Sequence, residues 1–183
     1  MTSAALPAEP GETVSWRSLV RDIADYPQAG VTFRDITPLL GDGPAFRQVV
    51  DELAERFRDV EVDRVVGVEA RGFILAAPIA YRLGAGFVPV RKPGKLPYRT
   101  TSVTYELEYG SDTLEVHVDA VAPGDRVLVV DDVLATGGTA AAAATLVTSA
   151  GGHVAAVAFL MELTFLDGRS RMGDHDVRAL LSF

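Results

Sequence analysis

VLVVDDVLATGGTA, residues Val127 to Ala140, decides how this chain is read. An apolar run, Val127 to Val130, leads into Asp131 and Asp132, then a small-residue turn (Ala135, Thr136, Gly137, Gly138, Thr139) and an alanine-rich helix candidate. A continuous apolar run suits a strand covered on both faces, as in a parallel sheet. In open α/β sheets, ligands bind beyond the carboxyl ends of the strands. The turn leaves backbone N–H groups at a helix N-terminus, where the helix dipole adds partial positive charge. Thr136 and Thr139 add hydroxyl donors, and the two glycines let an oxyanion approach the backbone, so the segment has the parts of a phosphate cradle. The Gly-Lys-Ser/Thr of a Walker A loop and the G-x-G-x-x-G spacing of a dinucleotide fingerprint are both missing. Two acids beside such a cradle repel a phosphate unless they serve another part of the ligand. Carboxylates accept well from vicinal hydroxyls, so Asp131 and Asp132 suggest a ribose attached to that phosphate. The competing reading is a capped helix after a strand, with both acids solvated.

Outward from this segment, strand and helix candidates alternate. Arg64 to Glu69, Phe87 to Val90, Arg126 to Val130, Val154 to Leu160 and Val177 to Phe183 read as strands. Gly72 to Leu83 and Gly138 to Ala150 read as helices between them, which predicts an α/β fold, a central parallel sheet flanked by helices. Earlier, apolar spacing predicts a helix over Val14 to Asp25 and another from Pro44 to Phe57. Ser102 to Val118 alternates around Gly110 and Ser111 and predicts a β-hairpin. RKPGKLPYRTT before it is a long polar loop of the kind that forms lids and binding loops. Residues 1–12 read as a flexible tail without signal-peptide character, and residues 13–183 as a single domain.

Composition narrows the function. The chain has 183 residues, a net charge of -8 and no cysteine. Disulfides and thiolate chemistry are therefore excluded, and nucleic acid and anionic membranes are disfavoured as partners. No apolar stretch reaches the roughly 20 residues of a membrane helix, so a cytoplasmic protein is expected. The charge is uneven: Ala70 to Tyr105 contains no acid and six basic residues, including the chain's only lysines, Lys92 and Lys95. That stretch is kept as a candidate anion site.

VLVVDDVLATGGTA resembles the phosphoribosyl pyrophosphate (PRPP) motif of type I phosphoribosyltransferases. DYPQAGVTFRDITPLL (Asp25 to Leu40), GVEARGFILAAPIA (Gly67 to Ala80), RKPGKLP (Arg91 to Pro97) and YELEYGSDTLEVH (Tyr105 to His117) are similar to adenine phosphoribosyltransferases in the same order. The resemblance implies purine salvage: adenine and PRPP react with Mg2+ to give AMP and pyrophosphate, usually in a homodimer. It places the 5′-phosphate on Ala135, Thr136, Gly137, Gly138 and Thr139, and the ribose hydroxyls on Asp131 and Asp132. Glu69-Ala70-Arg71-Gly72 resembles the pyrophosphate loop, whose unusual peptide, often cis, is expected at Glu69-Ala70. Arg71 then offers a guanidinium to phosphate oxygens.

Lys92 to Thr104 resembles the family's catalytic lid. There Lys95 meets the charge on departing pyrophosphate and Arg91 supports the same anion, while Lys92 and Arg99 read as solvated. Glu108 is implied as the residue handling the purine proton and Tyr109 as a closing residue, with an exposed strand acid as the plain alternative for Glu108. Thr32, Phe33 and Arg34 resemble the base pocket of a small N-terminal hood at about residues 25–40, with Phe33 stacked on the purine; simple core is the alternative for Phe33. No lysine is available in the hood to mark a 6-oxopurine, which favours adenine. A transferase for another base and a non-catalytic PRPP-sensing regulator are the competing functions. Such regulators usually carry a DNA-binding module, for which the residues before the first motif are too few.

Overall fold

The computed structural model of the chain describes residues 15–106 and 110–183. Two compact units divide between Val49 and Val50, inside one helix. In the N-terminal unit, a 3-10 helix (Trp16–Leu19) precedes a two-stranded antiparallel ribbon of β1 (Arg21–Ile23) and β2 (Phe33–Asp35). The short helix α1 (Thr37–Gly41) and the start of α2 (Gly43–Glu55) come next. The helix predicted over Val14 to Asp25 does not form among its described residues. Arg21 instead lies opposite Asp35 and donates to its carboxylate from Nε and Nη2, at 3.1 and 2.5 Å. Strand pairing and a long-range ion pair outweigh the weak local helical preference. Asp35 also accepts from the Thr37 N–H and hydroxyl, each at 2.9 Å, at the start of α1. The Thr37 N–H, then Arg21, hold its carboxyl below the ordinary range. Helix α2 begins one residue before Pro44 and is capped by Asp42 Oδ1, which accepts the Ala45 N–H at 2.9 Å.

The C-terminal unit is built on a five-stranded sheet. Its strands are β3 (Arg64–Val68), β4 (Gly86–Val90), β7 (Arg126–Leu134), β8 (His153–Glu162) and β9 (Val177–Ser182), in the order β4-β3-β7-β8-β9. Every neighbouring pair is parallel. Helix α3 (Arg71–Leu83) packs on β3, β4 and β7, and α4 (Gly138–Ser149) on β7 and β8. Val65, Val66 and Val127 to Val130 are fully enclosed, as the continuous apolar runs predicted. The chain winds outward from β3 in one direction and from β7 in the other, so the switch point lies between these two strands.

Strand β7 ends later than predicted. It continues four residues past Val130, and Asp131 and Asp132 belong to the strand, not to the turn after it. Pairing with β8 supports this extension as far as Leu134 opposite Glu162, whereas pairing with β3 stops at Val130. The edge of β7 beyond Val130 therefore opens toward the switch-point crevice. Strands β5 (Thr100–Glu106) and β6 (Ser111–His117) form the predicted hairpin, starting two residues early. Thr100 to Thr104, predicted as lid, lie in strand because they pair with Thr113 to His117. Backbone bonds between Arg91 and Glu115, at 2.9 and 2.7 Å, tie β6 to the end of β4. Among the described residues, no helix is long and apolar enough to cross a membrane.

Candidate active site

A cavity of about 420 Å³ opens at the switch point. One wall is the turn Ala135 to Thr139 between β7 and α4. Gly137, the residue before α4, adopts the left-handed conformation (φ 83°), and no side chain caps the helix. The first N–H groups of α4 are left for an anion, and only glycine takes this φ without strain. The opposite wall is Glu69, Ala70 and Arg71, joining β3 to α3. The Glu69–Ala70 peptide is cis, at the position the resemblance implied. Asp131 and Asp132 line the floor between the two walls.

Arg71, Arg91, Lys92 and Lys95, around the cavity, each rest on a carboxylate of the same chain. Arg71 Nε donates to Asp132 Oδ2 at 2.5 Å. Lys95 Nζ donates to Glu69 Oε1 at 2.6 Å and Arg91 Nε to Glu69 Oε2 at 2.9 Å. Burial opposes charge on Glu69, but the bonds from Lys95 and Arg91 win and hold its carboxyl below the ordinary range. Lys92 Nζ pairs with Asp112, which holds the Asp112 carboxyl down and the Lys92 ammonium up. Asp131 differs: burial, then the charge of Asp132, pushes its carboxyl well above the usual range. Its Oδ1 accepts the Asp132 N–H at 2.9 Å.

The structure brings Glu69, Ala70, Arg71, Asp131, Asp132 and Ala135 to Thr139 to one cavity. Lys95 and Arg91 do not line it and reach it only through Glu69. Glu108 and Tyr109 lie outside the described residues. In the N-terminal unit, Thr32 is exposed, while Phe33 and Arg34 are half-buried. Phe33 meets the Tyr26 ring edge-on at 5.2 Å, and Arg34 pairs with Asp22.

The phosphoribosyl transferase domain family matches residues 39–179. The chain is 59% identical, over 96% of its length and 98% of the relative's, to the adenine phosphoribosyltransferase of Acidothermus cellulolyticus. For that of Chloroflexus aurantiacus the identity is 57%, over 91% and 96%. The chain belongs to the adenine phosphoribosyltransferase family. Among solved structures, the adenine phosphoribosyltransferase of Thermoanaerobacter pseudethanolicus superposes with a TM-score of 0.89 at 53% identity, covering 92% of this chain and 98% of that one. The Saccharomyces cerevisiae enzyme, solved in complex with adenine, gives 0.85 at 40%, covering 91% and 96%.

Three residues of this phosphoribosyltransferase cavity escaped sequence reasoning. Lys92, read as solvated, lines the cavity beside Asp112. Tyr105 and Asp112 face each other across the hairpin. The Tyr105 hydroxyl lies 3.2 Å from Thr139 Oγ1 and 3.4 Å from Asp112 Oδ2. Burial raises the Tyr105 hydroxyl, which keeps it a neutral donor. The sequence did not signal this pair: a two-residue turn at Gly110-Ser111 implies a register four residues different, whereas Glu106 pairs with Ser111 and Tyr105 with Asp112.

Proposed function

We propose that the residues gathered at the switch point hold PRPP by both phosphate ends while its ribosyl carbon passes to adenine. The reaction is purine salvage: adenine and PRPP give AMP and pyrophosphate, a pentosyl transfer. The observation that carries the assignment of roles is the single cavity shared by an uncapped helix N-terminus, two adjacent aspartates and the Glu69–Arg71 loop. Ala135 to Thr139 bind the 5′-phosphate, Asp131 and Asp132 the ribose hydroxyls, and the Glu69-Ala70-Arg71 loop the diphosphate, through backbone N–H groups beyond Glu69 and the Arg71 guanidinium. As pyrophosphate departs, Lys95 and Arg91 leave Glu69 and neutralise the charge that builds on it. Thr32, Phe33 and Arg34 take the base, Glu108 handles the purine proton and Tyr109 helps to close the site.

Among the described residues, no three acidic or histidine side chains converge as a metal site. Asp131 and Asp132 offer two carboxylates, one already engaged by Arg71. This donor set fits a Mg2+ ion held chiefly by ligand oxygens and water. When bound, Mg2+ neutralises diphosphate charge. We place the enzyme in the cytoplasm as a homodimer. Ile74, Tyr81 and Phe87 are exposed apolar residues on α3 and β4, consistent with a face covered by a second copy.

Purified protein with PRPP and Mg2+, offered each free base in turn, is expected to form AMP from adenine and to stop when Mg2+ is chelated. Preferred use of hypoxanthine or guanine would overturn the adenine assignment. PRPP binding without turnover on any base would support the regulator. Lys95→Ala is expected to cut kcat by about a hundredfold with little change in AMP affinity. Wild-type kcat in this variant removes Lys95 from the mechanism.

A further inference from the structure

The segment after β8 stands directly behind the phosphate cradle. Glu162, the last residue of β8, is buried and pairs in register with Leu134. Its carboxylate accepts a two-pronged bond from Arg169, Nε to Oε1 at 2.7 Å and Nη2 to Oε2 at 2.8 Å. The third guanidinium nitrogen, Nη1, donates to the Val177 carbonyl at 2.9 Å. Arg169 thus fastens a 3-10 turn, Gly168–Met172, to the last residue of β8 and the first of β9, and Met172 at its far side is buried. Such forked bonds fix orientation as well as distance.

Between these fixed points, Gly168 meets the cradle backbone against backbone. A Cβ added at Gly168 would lie 2.2 Å from the Ala135 carbonyl oxygen, and one added at Gly137 would lie 2.4 Å from the Gly168 carbonyl oxygen. Neither position has room for a side chain. The cradle carries no side-chain cap of its own, so its shape depends on what stands behind it. We infer that Arg169 is a positioning residue for the 5′-phosphate: by clamping the Gly168 turn to Glu162, it holds Ala135 to Gly137 in the shape that converges N–H donors on the anion. Arg169 does not line the cavity and acts only through Gly168.

The inference rests on the cradle taking the 5′-phosphate, and its test separates the two ligand ends. Ribose 5-phosphate probes the cradle and Mg2+-pyrophosphate probes the Glu69–Arg71 loop, each titrated calorimetrically. In Arg169→Ala and Gly168→Ala, ribose 5-phosphate affinity is expected to fall about tenfold while pyrophosphate affinity stays within about twofold. The KM for PRPP should rise with kcat and the KM for adenine largely kept, and Arg169→Lys should recover only part of the loss because it lacks the fork. Unchanged ribose 5-phosphate affinity, or equal weakening of both ligands, overturns the inference. Thr139→Ala serves as the control on the cradle itself. If it leaves ribose 5-phosphate binding intact, the cradle assignment fails and the inference with it. If it weakens binding while the Gly168 and Arg169 variants do not, the inference alone fails. Should Arg169→Ala not fold, Arg169→Lys, which keeps the charge and loses the fork, carries the same comparison.

Discussion

Asp131 is held where burial and a like-charged neighbour both oppose its ionisation. Its folded pKa lies well above that of the unfolded chain, so the folded state binds more protons through the interval between the two. Stability therefore falls as pH rises from the ordinary carboxylate range toward the raised value, and the deficit persists above it. Asp131→Asn removes the titration while keeping an Oδ1 acceptor for the Asp132 N–H. In ligand-free protein, this variant is expected to have a higher Tm than the parent near pH 8, with the gap closing toward pH 4. Thermal melts across that range check it, and a pH-independent difference would assign the effect to packing. The same substitution should weaken PRPP binding. The site keeps an acid there at a cost to stability, as functional positions commonly do.

The hairpin and α4 are joined by the Tyr105 hydroxyl at Thr139. Tyr105→Phe deletes that link without disturbing the strand, and is expected to cost about 1 kcal/mol and to raise the KM for PRPP. A variant with unchanged Tm and KM would show that the contact ties nothing down. The link also marks where local sequence stops being informative. The apolar runs of β3, β7 and β8 and the turn Ala135 to Thr139 are read from neighbouring residues, because burial on both faces and an anion cradle each leave a contiguous trace. The end of β7 is not, because Asp131 and Asp132 interrupt the apolar run while pairing with β8 continues. Nor is β1, three residues stabilised by Arg21 reaching Asp35. The pairings of Arg71 with Asp132 and of Lys95 with Glu69 join residues far apart in the chain, so the cations are legible but their carboxylate partners are not.

Across the whole chain, a net charge of -8 conceals a split of +6 over Ala70 to Tyr105 against -14 elsewhere. Five of the six positive residues lie on the cavity wall and the loop leading to the hairpin, Arg82 pairing with Asp51 at the far end of α3, so their field acts on a small polyanion while the remainder discourages extended ones. The KM for PRPP is expected to rise severalfold as salt shortens the Debye length from about 10 Å to about 3 Å, while that for neutral adenine stays flat. Equal shifts in both would argue against steering and for a general effect of salt on the protein. The carboxylates resting on Arg71, Lys92 and Lys95 matter once the ligand has been captured. A ligand phosphate that takes one of these cations displaces an internal acid, and that acid reclaims the cation when the product goes. On the proposed roles, turnover exchanges counterions so that Arg71, Lys92 and Lys95 are never left bare, and a diphosphate can be gripped during the reaction and still be let go.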